Sequence, residues 1–183
     1  MNEAADQVVA WAVSLPVEVG RRRVLAVEGR SGSGKTTLAM AVAERLAAPV
    51  IHMDDLYAGW DGLDRGVTEL HDRVLVPLAE GRDAVWRRWD WAAGAYAEEH
   101  RVPDADWLVV EGVGAGGRLL RPYESGLVWV DSPAGIRKRR ALERDGPTYA
   151  PHWARWARHE DAFYAAELVR ENADLIIENA GEQ

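Results

Sequence analysis

Nine consecutive residues, Gly29-Arg30-Ser31-Gly32-Ser33-Gly34-Lys35-Thr36-Thr37, constrain this chain more than any other stretch. They fill every fixed position of the pattern G-x-x-x-x-G-K-[ST]. Val24-Leu25-Ala26-Val27 just before them reads as a short buried strand, and Leu38, Val42 and Leu46 just after them fall at helical spacing. Glycines placed between a strand and a helix let backbone N–H groups turn inward around an anion without Cβ clashes. The helix behind them aims its positive N-terminal end at the same point. The stretch therefore predicts that Gly29, Ser31, Gly32, Ser33, Gly34, Lys35, Thr36 and Thr37 hold the phosphates of a nucleotide. Lys35 would reach the terminal phosphates, and Thr36 would offer its hydroxyl to Mg²⁺.

An anion held this way has to be held locally, because the 183-residue chain carries a net charge of -8. That balance argues against general binding to nucleic acid or membrane surfaces. Lysine occurs only at Lys35 and Lys138, so one of the two falls at the motif position. With no cysteine, disulfides and thiol chemistry are excluded. No basic region followed by an apolar block opens the sequence, and no apolar run reaches the roughly 20 residues of a membrane span. A cytoplasmic protein forming a single domain over residues 1–183 is expected.

The rest of the chain alternates strand and helix. Residues 3–14 predict a helix with Val8, Val9, Ala12 and Val13 on one side. Val50-Ile51-His52-Met53 reads as a second strand ending in Asp54-Asp55-Leu56-Tyr57. Ligands of parallel α/β sheets meet the carboxyl ends of the strands, so Asp54 is a candidate base for an attacking hydroxyl and a candidate metal ligand. Residues 58–66 read as loop, and 68–80 as a helix that Pro77 kinks or stops. Trp86-Arg87-Arg88-Trp89-Asp90-Trp91 reads equally well as a stacking site or an apolar seam, and 92–100 is expected to be helical. Trp107 to Val110 is a third strand ending at Glu111, placed as in sites where an acid meets Mg²⁺ or its water shell. Leu127 to Val130 is a fourth, ending at Asp131. The helix that follows carries Arg137, Arg140 and Arg144 on one face, a candidate phosphate clamp. Gly146-Pro147-Thr148 breaks the chain, 153–170 predicts a long helix, and 174–177 a fifth strand, before a polar tail to Gln183 expected to fray.

Taken together, these segments resemble the small P-loop kinases, and most closely the uridine kinase group of the nucleoside and nucleotide kinase superfamily. Asp54-Asp55-Leu56-Tyr57 is similar to that group's D-x-F-Y, whose first aspartate is the general base. Trp60-Asp61 resembles its segment with a substrate-binding aspartate, Trp89-Asp90-Trp91 its Y-D-F, and Val110-Glu111-Gly112 its V-E-G. Asp131, Arg137, Arg140 and Arg144-Asp145 follow the spacing of its lid. Gly94 and Tyr96 stand where the group has a histidine and an arginine, and Gly146-Pro147-Thr148-Tyr149 replaces a basic E-R-G-R.

The resemblance implies a three-layer α/β P-loop NTPase fold with a five-stranded parallel sheet, helices on both faces and an arginine-bearing lid at about 137–152. It implies an ATP- and Mg²⁺-dependent kinase for a small alcohol, with a nucleoside such as uridine or cytidine as one acceptor. Other readings are a kinase for a nucleotide or sugar acid, or a regulatory ATPase with no small acceptor. The expected catalytic residues are Asp54, Lys35, Arg140 and Arg144. Thr36, Asp54 and Glu111 would serve the metal, and Arg137 and Arg140 would join the loop in holding nucleotide. Asp54, Tyr57, Trp60, Asp61, Trp89, Asp90, Trp91 and Arg137 would contact the acceptor.

Overall fold

The computed structural model describes residues 2–17 and 20–180, apart from the side chains of Asp145 and Thr148. The tail from 181 to Gln183 lies outside the described residues. Five strands form one parallel sheet: β1 (Arg23–Glu28), β2 (Val50–His52), β5 (Trp107–Glu111), β6 (Gly126–Asp131) and β7 (Leu175–Glu178). Their order across the sheet is β2-β5-β1-β6-β7. In the three central strands β1, β5 and β6 the apolar runs lack a polar face because both faces are covered. Val24 and Ala26 of β1 point into one core, with Met53, Tyr57, Leu108, Val110 and Trp129. Leu25 and Val27 point into the other, with Leu38, Ala39, Val42 and the helix α1 (Asn2–Ala12). The three-layer arrangement expected of the sequence is the one observed.

The inner stripe of α1 is Ala5, Val8 and Ala12, while Val13, expected on that stripe, lies past the helix end and is 57% exposed. Helix α2 (Lys35–Leu46) follows the phosphate loop. Helix α3 (Leu63–Leu70) begins inside the stretch expected to be loop, and a π-turn (His71–Leu75) joins it to α4 (Val76–Ala79). Pro77 has no N–H to continue a regular ladder, so the irregularity falls just ahead of it.

Residues 92–100 are not helical. They form a turn and most of β4 (Ala95–Arg101), antiparallel to β3 (Val85–Asp90). Local chemistry overrides the alanine content here. Asp90 Oδ1 accepts the amides of Ala92 and Ala93, both at 2.9 Å, and Gly94 takes a left-handed φ of 63°. Across the hairpin, Trp86 stacks on His100 with centroids 4.8 Å apart, and Trp89 meets Tyr96 edge-on at 5.1 Å. The expected break falls at Gly146, whose non-helical backbone (φ 49°, ψ −133°) kinks α5 (Ala134–Tyr149) into two helical segments. Helix α6 (Trp153–Glu167) stops at Leu168, which is left-handed, short of the expected Arg170.

Candidate active site

The crevice beyond the carboxyl ends of β1, β2 and β5 gathers the polar groups of this protein. Gly32 and Gly34 take φ of 79° and 93°, which places them where L side chains rarely go. Each also lies against a neighbour. A Cβ on Gly32 would fall 2.1 Å from the Arg137 carbonyl oxygen, and one on Gly34 would fall 2.4 Å from Asn179 Nδ2. Asn179, just past β7, donates Nδ2–H to the Ser33 carbonyl at 2.7 Å. Gly34 caps α2 without a side-chain hydrogen bond, so the first-turn amides of that helix point into the loop. Ser33 Oγ is buried with no partner among the described residues. A collar of free amides and one unmatched hydroxyl fits a phosphate.

Beside the collar, Thr36 Oγ1 donates to Glu111 Oε2 at 3.1 Å, and His52 Nδ1 lies 2.6 Å from Glu111 Oε1. Burial would raise the Glu111 carboxyl. The His52 hydrogen bond, the Lys35 charge and the Thr36 hydroxyl outweigh it and hold the group below its ordinary value. The same bond raises His52. Among the described residues no three His, Cys, Asp or Glu converge as a metal cluster. A hydroxyl and an ionised carboxylate still fit Mg²⁺, which takes one or two protein oxygens and fills its shell with phosphate and water.

Asp54 opens a 3₁₀ turn (Met53–Asp55) directly after β2. Its carboxylate is reached by solvent through the crevice and hemmed in by protein, so desolvation raises its pKa, Lys35 and Arg144 pull it down, and Glu111 and Asp55 push it up. Asp54 and Asp55 line a cavity of about 520 Å³ together with the rings of Tyr57, Trp60, Trp91, Tyr149 and Trp156, and with Ser31 and Arg144. Trp60 is the hub of this wall. It lies parallel to His152 at 4.4 Å and to Tyr149 at 5.3 Å, and tilted to Trp91 at 4.7 Å. The polar tips of three of these rings are committed elsewhere. Trp91 donates Nε1–H to the Asp54 carbonyl at 2.9 Å, Trp156 to Glu160 at 3.1 Å, and the Tyr57 hydroxyl to the Val113 carbonyl.

Not every residue singled out in the sequence faces this cavity. Asp61 points away from it, bound by Arg155 Nε at 2.8 Å. Trp89 and Asp90 serve the hairpin. Arg137 lies on the phosphate loop rather than in the cavity, its Nε–H donated to the Ser132 carbonyl at 3.1 Å and its Nη1–H to the Ser31 carbonyl at 3.4 Å. Arg140 is half-buried, with Nη1 lacking a hydrogen-bond partner among the described residues. Arg144, one turn further along, lines the cavity. Asp145, part of the lid spacing, has a side chain outside the described residues.

Two buried carboxylates behind the loop escaped the sequence reading. Glu28 accepts from the amides of Gly29, Gly114 and Gly116 at 2.9, 2.7 and 3.1 Å and from the Tyr164 hydroxyl at 2.8 Å. Complete burial pushes its carboxyl up to about 7, against those hydrogen bonds and the Lys35 charge. Glu160 accepts the Ser31 amide at 2.8 Å. A signal for the second was present: Trp156, Glu160 and Tyr164 recur every fourth residue on one helix. Glu28 carried none beyond its place ahead of Gly29.

No protein-family model matches the chain. It is 30% identical over 145 residues to a tRNA dimethylallyltransferase from Acidiphilium cryptum, a match over 72% of this chain and 42% of the relative. It is 26% identical over 126 residues to a cytidylate kinase from Methanococcoides burtonii, over 69% of this chain and 65% of the relative. The chain thus spans less than two thirds of either protein. Among solved structures, a possible uridine kinase from Bacillus stearothermophilus superposes with a TM-score of 0.71 at 21% identity, covering 96% of this chain and 97% of that one. A candidate fructose transport system kinase from Silicibacter sp. TM1040 gives 0.57 at 21% identity, covering 94% and 98%. The fold is that of the uridine kinase-like and other P-loop kinases. Among the described residues, no helix is long and apolar enough to cross a membrane.

Proposed function

We propose that this protein is an ATP- and Mg²⁺-dependent kinase that moves the γ-phosphoryl group of ATP to the hydroxyl of a small, uncharged alcohol. One observation carries the reading: Asp54, a carboxylate just past the end of β2, lies beside the phosphate collar and lines an aromatic-walled cavity. A regulatory ATPase has no use for a base at such a place.

Each residue then has a role its surroundings suit. The amides at the start of α2 and the Lys35 ammonium bind the β- and γ-phosphates and absorb charge as the γ-group moves. Thr36 and Glu111 would hold Mg²⁺, which neutralises phosphate oxygens. Asp54 accepts the proton of the acceptor hydroxyl as its oxygen attacks phosphorus. Arg140, whose Nη1 has no hydrogen-bond partner among the described residues, and Arg144, which lines the cavity, suit the clamp over the transferring group.

The cavity also says what kind of alcohol it takes. Among its described lining residues Arg144 is the one cation, facing Asp54 and Asp55. Its indole and phenol donors are largely spent on protein oxygens. A nucleotide or sugar acid would bring an anion against the Asp54 and Asp55 carboxylates, with Arg144 as the one described lining cation to receive it. A flat neutral ring would stack on Trp60, Trp91 or Trp156, and a nucleoside such as uridine or cytidine has that shape.

The test is phosphoryl transfer from ATP across a panel of nucleosides, nucleotides and sugar acids. Transfer is expected to nucleosides. Asp54→Asn is expected to lower turnover at least about a hundredfold while leaving ATP binding intact. Full transfer by Asp54→Asn would remove Asp54 as the base. ATP binding with no transfer to any alcohol would remove the kinase reading.

A further inference from the structure

Three residues of α6 fall four apart on one buried face, and each touches a different part of the site. Trp156 walls the acceptor cavity. Glu160 holds the middle of the phosphate loop, and Tyr164 holds its root, donating to Glu28 Oε1, the oxygen that also receives the Gly29 amide. The middle contact is the informative one. Glu160 is 1% exposed, and a single oxygen, Oε1, receives both the Ser31 amide at 2.8 Å and the Trp156 indole N–H at 3.1 Å. Its other oxygen lies 3.7 Å from Arg30, which also pairs with Asp161 at 2.6 Å and lies 5.0 Å over the Tyr164 ring. Two successive loop residues are therefore strapped to the helix that forms one wall of the cavity.

We propose that Glu160 is a positioning residue that couples the acceptor cavity to the phosphate loop through the shared oxygen. The proposal rests on the kinase reading for the identity of the two sites. The physical reason is the sharing itself. A buried carboxylate oxygen with two donors is held by both, and loosening one lets it shift toward the other. A ring packed against Trp156 from the cavity side fixes the indole, which fixes Glu160, which fixes the Ser31 amide and the loop after it. Linkage makes the effect reciprocal: whatever acceptor occupancy does for nucleotide affinity, nucleotide does for the acceptor. The arrangement favours ordered loop geometry when an acceptor is in place, which suppresses idle ATP hydrolysis.

Isothermal titration of ATP with Mg²⁺ into four variants tests this without knowing the acceptor. Trp156→Phe keeps an aromatic ring in the cavity wall and removes the N–H, together with part of the indole's buried bulk. It is expected to weaken ATP binding about threefold to tenfold, the worth of one buried hydrogen bond, although it lies in the cavity and not in the phosphate loop. Glu160→Met is expected to weaken binding at least as much. The double variant is expected to bind like Glu160→Met alone, because both changes act through one oxygen. Glu160→Gln, which keeps an acceptor oxygen, is expected to restore most of the affinity. Wild-type affinity in Trp156→Phe, or multiplying losses in the double variant, overturns the coupling. Should Glu160→Met fail to fold, Trp156→Phe and Glu160→Gln decide the matter. A wild-type chain that binds no nucleotide overturns both this and the kinase reading. Coupling present with no transfer to any alcohol overturns the kinase reading alone.

Discussion

Glu28 shows how one buried side chain ties stability to pH. Its carboxyl is pushed from 4.5 up to about 7 by burial, so between those values the native state holds a proton that the unfolded chain has released. The slope of unfolding free energy with pH is then negative: stability falls as pH rises from about 4.5 through about 7. From pH 5 to pH 7.5 the loss is about 2 kcal/mol. Urea unfolding at the two pH values reads it directly, and Glu28→Gln should flatten the slope. That variant is also expected to be less stable at both, since its amide nitrogen would face the donating amides of Gly114 and Gly116. At the same scale, the sequence made Lys35, Thr36 and Asp54 legible because each sits at a fixed offset from a strand end. It could not separate Trp60 from Asp61. Adjacent residues point apart, and only the helix carrying Arg155 decides which one turns outward.

Among the elements, the β3–β4 hairpin is the one the sequence misread. Alanine-rich composition favours helix, but a weak propensity loses to two aromatic cross-strand pairs and a turn closed by the Asp90 carboxylate. The hairpin's placement gives it a task. Trp91 at its tip donates Nε1–H to the backbone carbonyl of Asp54, so the element steadies the residue proposed as the base. Trp91→Phe keeps an aromatic ring, though a smaller one, and drops the hydrogen bond. Turnover on the best acceptor is expected to fall about threefold to tenfold, with ATP affinity unchanged, as steady-state kinetics and ATP titration would show together. Helix α5 carries the converse lesson. Arg137, Arg140 and Arg144 were read as one row, and they do share a face. The row is spread from the loop at Arg137 to the cavity at Arg144.

For the whole molecule, the phosphate loop is the point where the sheet, α2, α5 and α6 meet. A nucleotide bound there should therefore stabilise the entire domain. At a hundred times the Kd, ATP with Mg²⁺ contributes about 2.7 kcal/mol, which for a chain of this size is a rise in Tm of about 5–10 °C. Differential scanning fluorimetry should show that rise, a smaller one when EDTA removes Mg²⁺, and none in Lys35→Met. The amino-acid sequence by itself determined the phosphate loop, the five strands and the acids that follow three of them. All of these depend on short spacings, and strand and helix periodicity convert spacing into direction without help from distant residues. The tertiary structure alone decided which aromatic rings close the cavity, which carboxylates are buried behind the loop and what they hold. Those contacts join residues as far apart as Glu28 and Tyr164 or Ser31 and Glu160. They exist only because the parallel sheet brings its strand ends to one edge and lays α6 across them.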